Sequence, residues 1–138
     1  MQVMVCGPIG QKGSLKIKRL YRFLRRNGFT TLDHLSSHEM DYAFIKDFRS
    51  RRELARQIVE YDLELVKKAD VIIAIYDGPS HGTGIEMYVA KNLGKPVILY
   101  APHEVPTPWP IHFSSYVISN KKELIVLLKG LQSEKLHN

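Results

Sequence analysis

The chain has 138 residues, 44% of them hydrophobic and 25% charged, with a formal net charge of +6 at pH 7. That size and mixture fit one domain with an ordinary hydrophobic core and exclude a disordered chain. The longest apolar run, residues 71–76, is far too short to cross a bilayer, so no membrane partner is expected, while the positive balance favours anionic ligands.

Residues 3–6 read as a short buried strand, with no basic leader before it. The one cysteine, Cys6, lies in that strand. It has no internal disulfide partner, reads as a core residue rather than a nucleophile, and makes a cytoplasmic location the expectation. Gly7, Pro8, Ile9 and Gly10 then open a glycine-punctuated loop that runs to Gly13. The loop follows a strand as a phosphate cradle would, but it has neither the dinucleotide glycine spacing nor a P-loop Lys-Ser/Thr pair. It reads as a tight turn beneath a ligand. Ser14 is expected to cap the next helix, which Asn27 and Gly28 end. Lys16, Arg19, Arg22 and Arg26 are interspersed there with Ile17, Leu20, Tyr21 and Leu24, the pattern of an amphipathic helix with a solvated basic face. No zinc pattern, helix-turn-helix signal or interleaved-aromatic RNA motif accompanies it, so no nucleic-acid polymer is expected as a partner.

Residues 29–32 predict a second strand, with Asp33 and His34 at its end. His34 is a candidate contact for a base or a phosphate. Residues 36–48 are polar and irregular, and two readings stay open, a lid over a site or a helix. Residues 51–68 form a helix on the spacing of Leu54, Ile58, Tyr61, Leu65 and Ala69. Residues 71–76, apolar on both faces, predict the third strand. The chain then breaks into a loop carrying Gly78, Gly82 and Gly84, and a helix is expected over 84–92, ended by Gly94. Residues 96–100 and 113–119 predict two further strands, separated by a proline-rich loop with Trp109. Residues 121–131 predict a closing helix with Leu124, Leu127, Leu128 and Leu131 inward, and residues 133–138 a frayed tail. Strands alternating with helices imply an α/β fold. The expectation is a single doubly wound, Rossmann- or flavodoxin-like domain over residues 1–132, with a parallel sheet of about five strands and a ligand crevice beyond the C-terminal strand ends.

Two acids stand out against that frame. Glu86 follows a buried strand and a glycine-rich loop, where α/β proteins keep their chemistry. It reads either as a nucleophile or as an ordinary acid in the first turn of a helix, favoured by the helix dipole. Asp62 falls between Ile58, Leu65, Val66 and Ala69, near the middle of the helix's apolar arc. A buried carboxylate is costly unless paired or protonated. Asp62 therefore either bonds a backbone amide or a buried cation, or carries a raised pKa suited to a general acid. Two carboxyl groups, one nucleophile and one proton donor, are the equipment for cleaving a glycosidic bond. Around them, Asp77 is placed to accept bonds from sugar hydroxyls, or serves as a strand-end turn residue. Ser80 and the amides from Gly82 to Gly84 are donors at a helix N-terminus. Tyr100 and Trp109 are candidates to stack on a base. The six histidines lack ligand spacing, so neither a metal nor another cofactor is expected.

These residues resemble the nucleoside 2-deoxyribosyltransferase superfamily, most of all its 2'-deoxynucleoside 5'-monophosphate N-glycosidases. Three segments carry the resemblance: Val5-Cys6-Gly7-Pro8-Ile9; Asp62-Leu63-Glu64 followed by Ala69-Asp70-Val71; and Gly82-Thr83-Gly84-Ile85-Glu86. The spacing of Asp62 and Glu86 also agrees with the monophosphate branch. The resemblance implies that Glu86 attacks the anomeric carbon to form a covalent glycosyl-enzyme, and that Asp62 supports protonation of the departing base. Water, or a second base in a transferase, then releases the sugar. It implies that the loop from Gly7 and the segment from Asp77 to Gly84 hold base, sugar and 5' group. The transferases acting on unphosphorylated nucleosides typically carry an acid where this chain has Ser80, which favours a monophosphate. The serine and arginine usual in the first loop of the monophosphate hydrolases are replaced by Pro8-Ile9-Gly10. A homodimer or higher homo-oligomer is also implied, with a neighbouring subunit completing the site. Base exchange between deoxynucleosides, and a non-catalytic nucleotide-binding module, are the alternatives.

Overall fold

The computed structural model describes residues 1–10, 12–36 and 41–137. Five strands, β1 (Gln2–Cys6), β2 (Thr30–Thr31), β3 (Val71–Ile75), β4 (Val97–Tyr100) and β5 (Tyr116–Ile118), form one sheet in the order β2-β1-β3-β4-β5. Every pairing is parallel, with Val3 opposite Val71 and Ile72 opposite Val97. Parallel neighbours need crossovers. These are α1 (Gly13–Arg26), α2 (Arg52–Lys68), α3 (His81–Asn92) and the short α4 (Trp109–His112), with α5 (Lys121–His137) closing the chain. The expected doubly wound α/β architecture is what the chain adopts.

The two-residue period of the strands sorts the core into two layers. Val3, Val5, Val71, Ile73 and Ile98 face Ile17, Leu20 and Leu24 of α1 and Leu124 and Leu128 of α5. Met4, Cys6, Ile72, Ala74, Val97 and Leu99 face Val66 of α2 and Met87 and Ala90 of α3. Cys6, last in β1, thus points toward the two helices that carry the two acids. The strand order reverses between β1 and β3, and a crevice beyond the strand ends at such a point is the expected ligand position.

Local chemistry moves several boundaries. Ser14 does not cap α1: Lys12 occupies the N-cap position without a side-chain bond, and Ser14 is buried inside the helix. The loop turns in so tightly that a Cβ on Gly13 would sit 1.7 Å from the Pro8 carbonyl oxygen, so only glycine fits. α3 begins at His81 rather than Gly84, because the Ser80 hydroxyl accepts from the Thr83 N–H at 3.3 Å and starts the helix early. Glu86 is therefore in the second turn, not the first. β5 is shorter than expected, since α4 occupies the segment before it. α5 continues to His137, past the start of the expected frayed tail, and its Lys135 pairs with Asp70. Of the irregular stretch 36–48, residues 37–40 lie outside the described residues. Beyond them, Tyr42–Phe44 form one 3-10 turn, with the Asp41 side chain accepting from Ala43 N–H. Among the described residues no helix is long and apolar enough to cross a membrane.

Candidate active site

Asp62 and Glu86 come from α2 and α3, which pack side by side on one face of the sheet. Their side chains line the same hollow, of about 220 Å³, at the C-terminal end of the strands. Its wall is otherwise apolar or aromatic, with Tyr42, Phe48, Ala55, Ile58, Val59, Leu63 and Ile85, and Gly82 leaves one side open. Asp62 is 8% exposed, and its Oδ1 is buried with no hydrogen-bond partner among the described residues. The arginines near it in sequence do not reach it; Arg56 is held by Glu53 and by Glu60, the latter at 2.7 Å. Of the two readings open for Asp62, the buried-cation pair is not what the structure contains.

Burial without compensation favours the protonated acid. Burial first, and the charge of Glu86 second, raise the Asp62 pKa to about 8. Burial raises Glu86 to about 7, and the Cys6 thiol, donating to Glu86 Oε2 at 3.1 Å, pulls it partly back. Two acids that cannot both ionise cheaply in one hollow titrate as a pair. Of the two, Glu86 is the group that ionises first, and Asp62 the one that keeps its proton to higher pH. That is the division of labour a retaining glycosidic mechanism needs.

Tyr42 is the residue that sequence reasoning passed over. It lies inside the polar, irregular stretch 36–48, with no periodicity to mark it. Asp41, bonded to Lys18 Nζ at 2.6 Å, fixes the start of its turn. The ring meets Phe48 edge-on at 5.8 Å. A Cβ on Gly82 would lie 3.8 Å from Glu86 Oε1 and 4.0 Å from the Tyr42 hydroxyl, so that hydroxyl and the outer oxygen of Glu86 border the same opening. Burial, followed by the charges of Glu86 and Asp62, pushes the phenol up to about 12, so it remains a hydrogen-bond donor.

The other expected contacts are dispersed. Gly7 packs against β3, with Ile75 Cβ 3.3 Å from where its own Cβ would be. Ile9 is buried in the α1 layer, and Pro8 and Gly10 lie with it outside the wall of the acid hollow. His34 is 2% exposed, its Nδ1 lies 2.9 Å from the Tyr21 hydroxyl, and burial lowers its pKa to about 4. That hydroxyl also accepts from Val5 N–H at 2.9 Å and reaches the Leu32 carbonyl at 2.9 Å, so the neutral imidazole belongs to a buried network tying β1, α1 and the end of β2. Asp77 forms an exposed pair with Lys16 at 2.6 Å. Gly78, Ser80 and Gly84 line a second, larger hollow of about 800 Å³ together with Tyr88, Trp109 and Phe113. There the Ser80 hydroxyl is engaged as the α3 cap and lies 2.9 Å from Thr83 Oγ1. Tyr100 is on β4, and Trp109 stacks on Phe113 at 6.5 Å. Among the described residues no three His, Cys, Asp or Glu side chains converge as a metal site.

Comparison with known proteins bears on the family and the fold. The sequence profile described as nucleoside 2-deoxyribosyltransferase matches residues 3–136. The chain is 30% identical over 107 residues, 75% of its length and 70% of the relative's, to a putative 2'-deoxynucleoside 5'-phosphate N-hydrolase 1 of Thermofilum pendens. It is 33% identical over 102 residues to the 5-hydroxymethyl-dUMP N-hydrolase of Mus musculus, covering 70% of this chain and 54% of that protein. Its fold is similar to a 2-deoxyribosyltransferase from Bacillus psychrosaccharolyticus (TM-score 0.64, 18% identity, 91% of this chain and 90% of that one). It is also similar to the CMP N-glycosidase of Clostridium botulinum (TM-score 0.61, 22% identity, 94% and 98% covered).

A stability prediction follows from the unpartnered acid. The folded pKa of Asp62 lies above its unfolded value, so its stabilising protonation is fully present at low pH and is lost as pH rises toward about 8. Asp62→Asn, which cannot ionise, should raise Tm by several degrees at about pH 9 and change it little at about pH 4. Thermal melts across pH check this; an equal effect at both ends would contradict it.

Proposed function

The chain belongs to the nucleoside 2-deoxyribosyltransferase family, and from that premise we propose that it hydrolyses the base–sugar bond of (2'-deoxy)nucleoside 5'-monophosphates through a covalent glycosyl-enzyme on Glu86. Enzymes of this kind are N-hydrolases or deoxyribosyltransferases, as the relatives' names state. The observation that carries the proposal is Asp62, its buried Oδ1 without a partner among the described residues, lining one hollow with Glu86.

In the first step one Glu86 oxygen bonds to the anomeric carbon as the C–N bond breaks. The electron pair of that bond leaves on the base nitrogen, which takes the Asp62 proton. In the second step the Asp62 carboxylate accepts a proton from water, the resulting hydroxide bonds to the anomeric carbon, and Glu86 departs as carboxylate. Both acids return to their starting states. The apolar wall of Ile58, Val59 and Ile85 keeps Asp62 protonated between turnovers. The Tyr42 hydroxyl, at the same opening as Glu86 Oε1, donates a hydrogen bond to the sugar or to that oxygen. The names of the hydrolase relatives and the net charge of +6 support a 5'-phosphate on the substrate.

The working form in this proposal is a homodimer. Ile85, Tyr88, Trp109 and Ile111 are exposed apolar side chains on α3 and α4, and Ile85 borders both hollows. A second copy seated there would bury this face and stand beside the acids. Ser114 and Ser115, just after this face, bond within their own chain, Ser114 donating to the Ile111 carbonyl and Ser115 accepting from Val97 N–H.

Incubation with a panel of nucleoside 5'-monophosphates, followed by chromatography, should show free base without an added acceptor. Release only when a second base is supplied would instead identify a transferase. Glu86→Ala should abolish the activity, and Asp62→Asn should lower kcat/KM by about 10²–10⁴. The pH profile should be a bell that falls on the acid side as Glu86 takes a proton near 7 and on the basic side as Asp62 loses one near 8. Base release by Glu86→Ala at the wild-type rate would overturn the proposal. For the assembly, light scattering should give twice the chain mass, and Trp109→Asp should shift the protein toward monomer; a monomeric wild type would count against it.

A further inference from the structure

We infer that Cys6 is a positioning residue for the nucleophile: its thiol grips Oε2 of Glu86 and so leaves Oε1 as the attacking oxygen. The inference rests on Glu86 being the nucleophile, as proposed above. It begins with a side chain that the reaction scheme leaves unused. Cys6 is the last residue of β1, is 0% exposed, and faces the α2–α3 layer through the strand's alternation. No substrate reaches it, so it is not itself a nucleophile. Burial and the neighbouring charge of Glu86 hold the thiol well above its ordinary pKa, so it keeps its proton and can only donate.

Its acceptor is Glu86 Oε2, at 3.1 Å. Among the described residues no cation pairs with Glu86, which gives this single donor unusual weight in fixing the carboxylate. Among the described residues, the groups whose protonation responds to the charge of Glu86 are Cys6 from β1, Tyr21 from α1, Tyr42 from the 3-10 turn, and Asp62 from α2. Among the described residues only the Cys6 thiol hydrogen-bonds to Oε2. Oε1 lies on the other side, where the nearest atoms to a Cβ at Gly82 are Oε1 itself and the Tyr42 hydroxyl. The two oxygens of one carboxylate thus have different work. One is tied down toward the sheet, and the other is turned to the opening that Asp62 also lines. Holding the carboxylate in one rotamer removes an orientational cost from the attack. A hydrogen bond to the charged form also keeps Glu86 ionised in surroundings that favour its acid.

The test compares Cys6→Ala, which removes the donor, with Cys6→Ser, which keeps one. The titration of Glu86 is followed by carbon NMR of labelled glutamate carboxyls, assigned with Glu86→Gln. Cys6→Ala should move the Glu86 midpoint upward by about 0.5–1 pH unit, and Cys6→Ser should return it toward wild type. In nucleotide hydrolysis, Cys6→Ala should lower kcat about tenfold with KM nearly unchanged, shift the acid limb of the profile in the same direction, and be rescued by Cys6→Ser. An unmoved midpoint in Cys6→Ala, or equal losses in both variants, overturns the inference. The titration needs no turnover. A wild-type protein that releases no base therefore defeats the hydrolase proposal, while the midpoints still decide whether the thiol holds Oε2.

Discussion

The structure is organised around two carboxyl groups that share one largely apolar hollow, with no cation among the described residues to neutralise them. Among the described residues Asp62 has a buried oxygen without a partner, and Glu86 has only a thiol. A helix selected for stability alone would carry leucine or alanine at position 62. Burying an unpaired carboxylate costs several kcal/mol unless it takes up a proton, and burial here raises the Asp62 pKa to about 8, which favours the protonated form. The rest of the fold offsets that cost. β1, β3 and β4 are apolar on both faces, and their side chains from Val3 to Cys6 and from Val71 to Ala74 are fully buried. A sheet so covered is stiff enough to hold two acids where neither would settle by itself.

Topology brings the acids together. β1 and β3 are neighbours in space but are separated in sequence by α1, β2 and α2. The crossover places α2 on the same face as α3, and the strand period turns Cys6 toward both. Three residues far apart in the chain, Cys6, Asp62 and Glu86, therefore meet above the carboxyl end of the central strands. Each position is set by a different rule: alternation along a strand, the 3.6-residue helical repeat, and the Ser80 cap that sets where α3 starts.

Much of this was legible in the sequence. The strands announced themselves as apolar runs between glycines, and Asp62 as a polar interruption of an apolar arc. Glu86 was marked by the strand and glycine loop before it. Residues whose surroundings are made by distant chain segments were harder to read. His34 looked like a loop histidine, yet Tyr21, thirteen residues earlier, draws it into the core. Ser80 looked like a phosphate donor, but its hydroxyl is committed to the N–H and the hydroxyl of Thr83. Tyr42 carried no local signal, because its place depends on the ion pair between Lys18 and Asp41 and on the ring of Phe48. Such pairings become visible only once the chain has folded.

α3 also divides the molecule's open surface in two. On one side is the compact acid hollow; on the other is a larger apolar one walled by Tyr88, Trp109 and Phe113, with Ile85 common to both. The chemistry proposed for the first requires a bond between Glu86 and the sugar, and that bond leaves a stereochemical record. The most direct test is hydrolysis in water–methanol, with the configuration of the newly formed methyl glycoside read by proton NMR. Two displacements at the anomeric carbon predict retention of the β configuration of the nucleotide. An inverted, α-configured product would contradict the covalent intermediate, and with it the role assigned to Glu86.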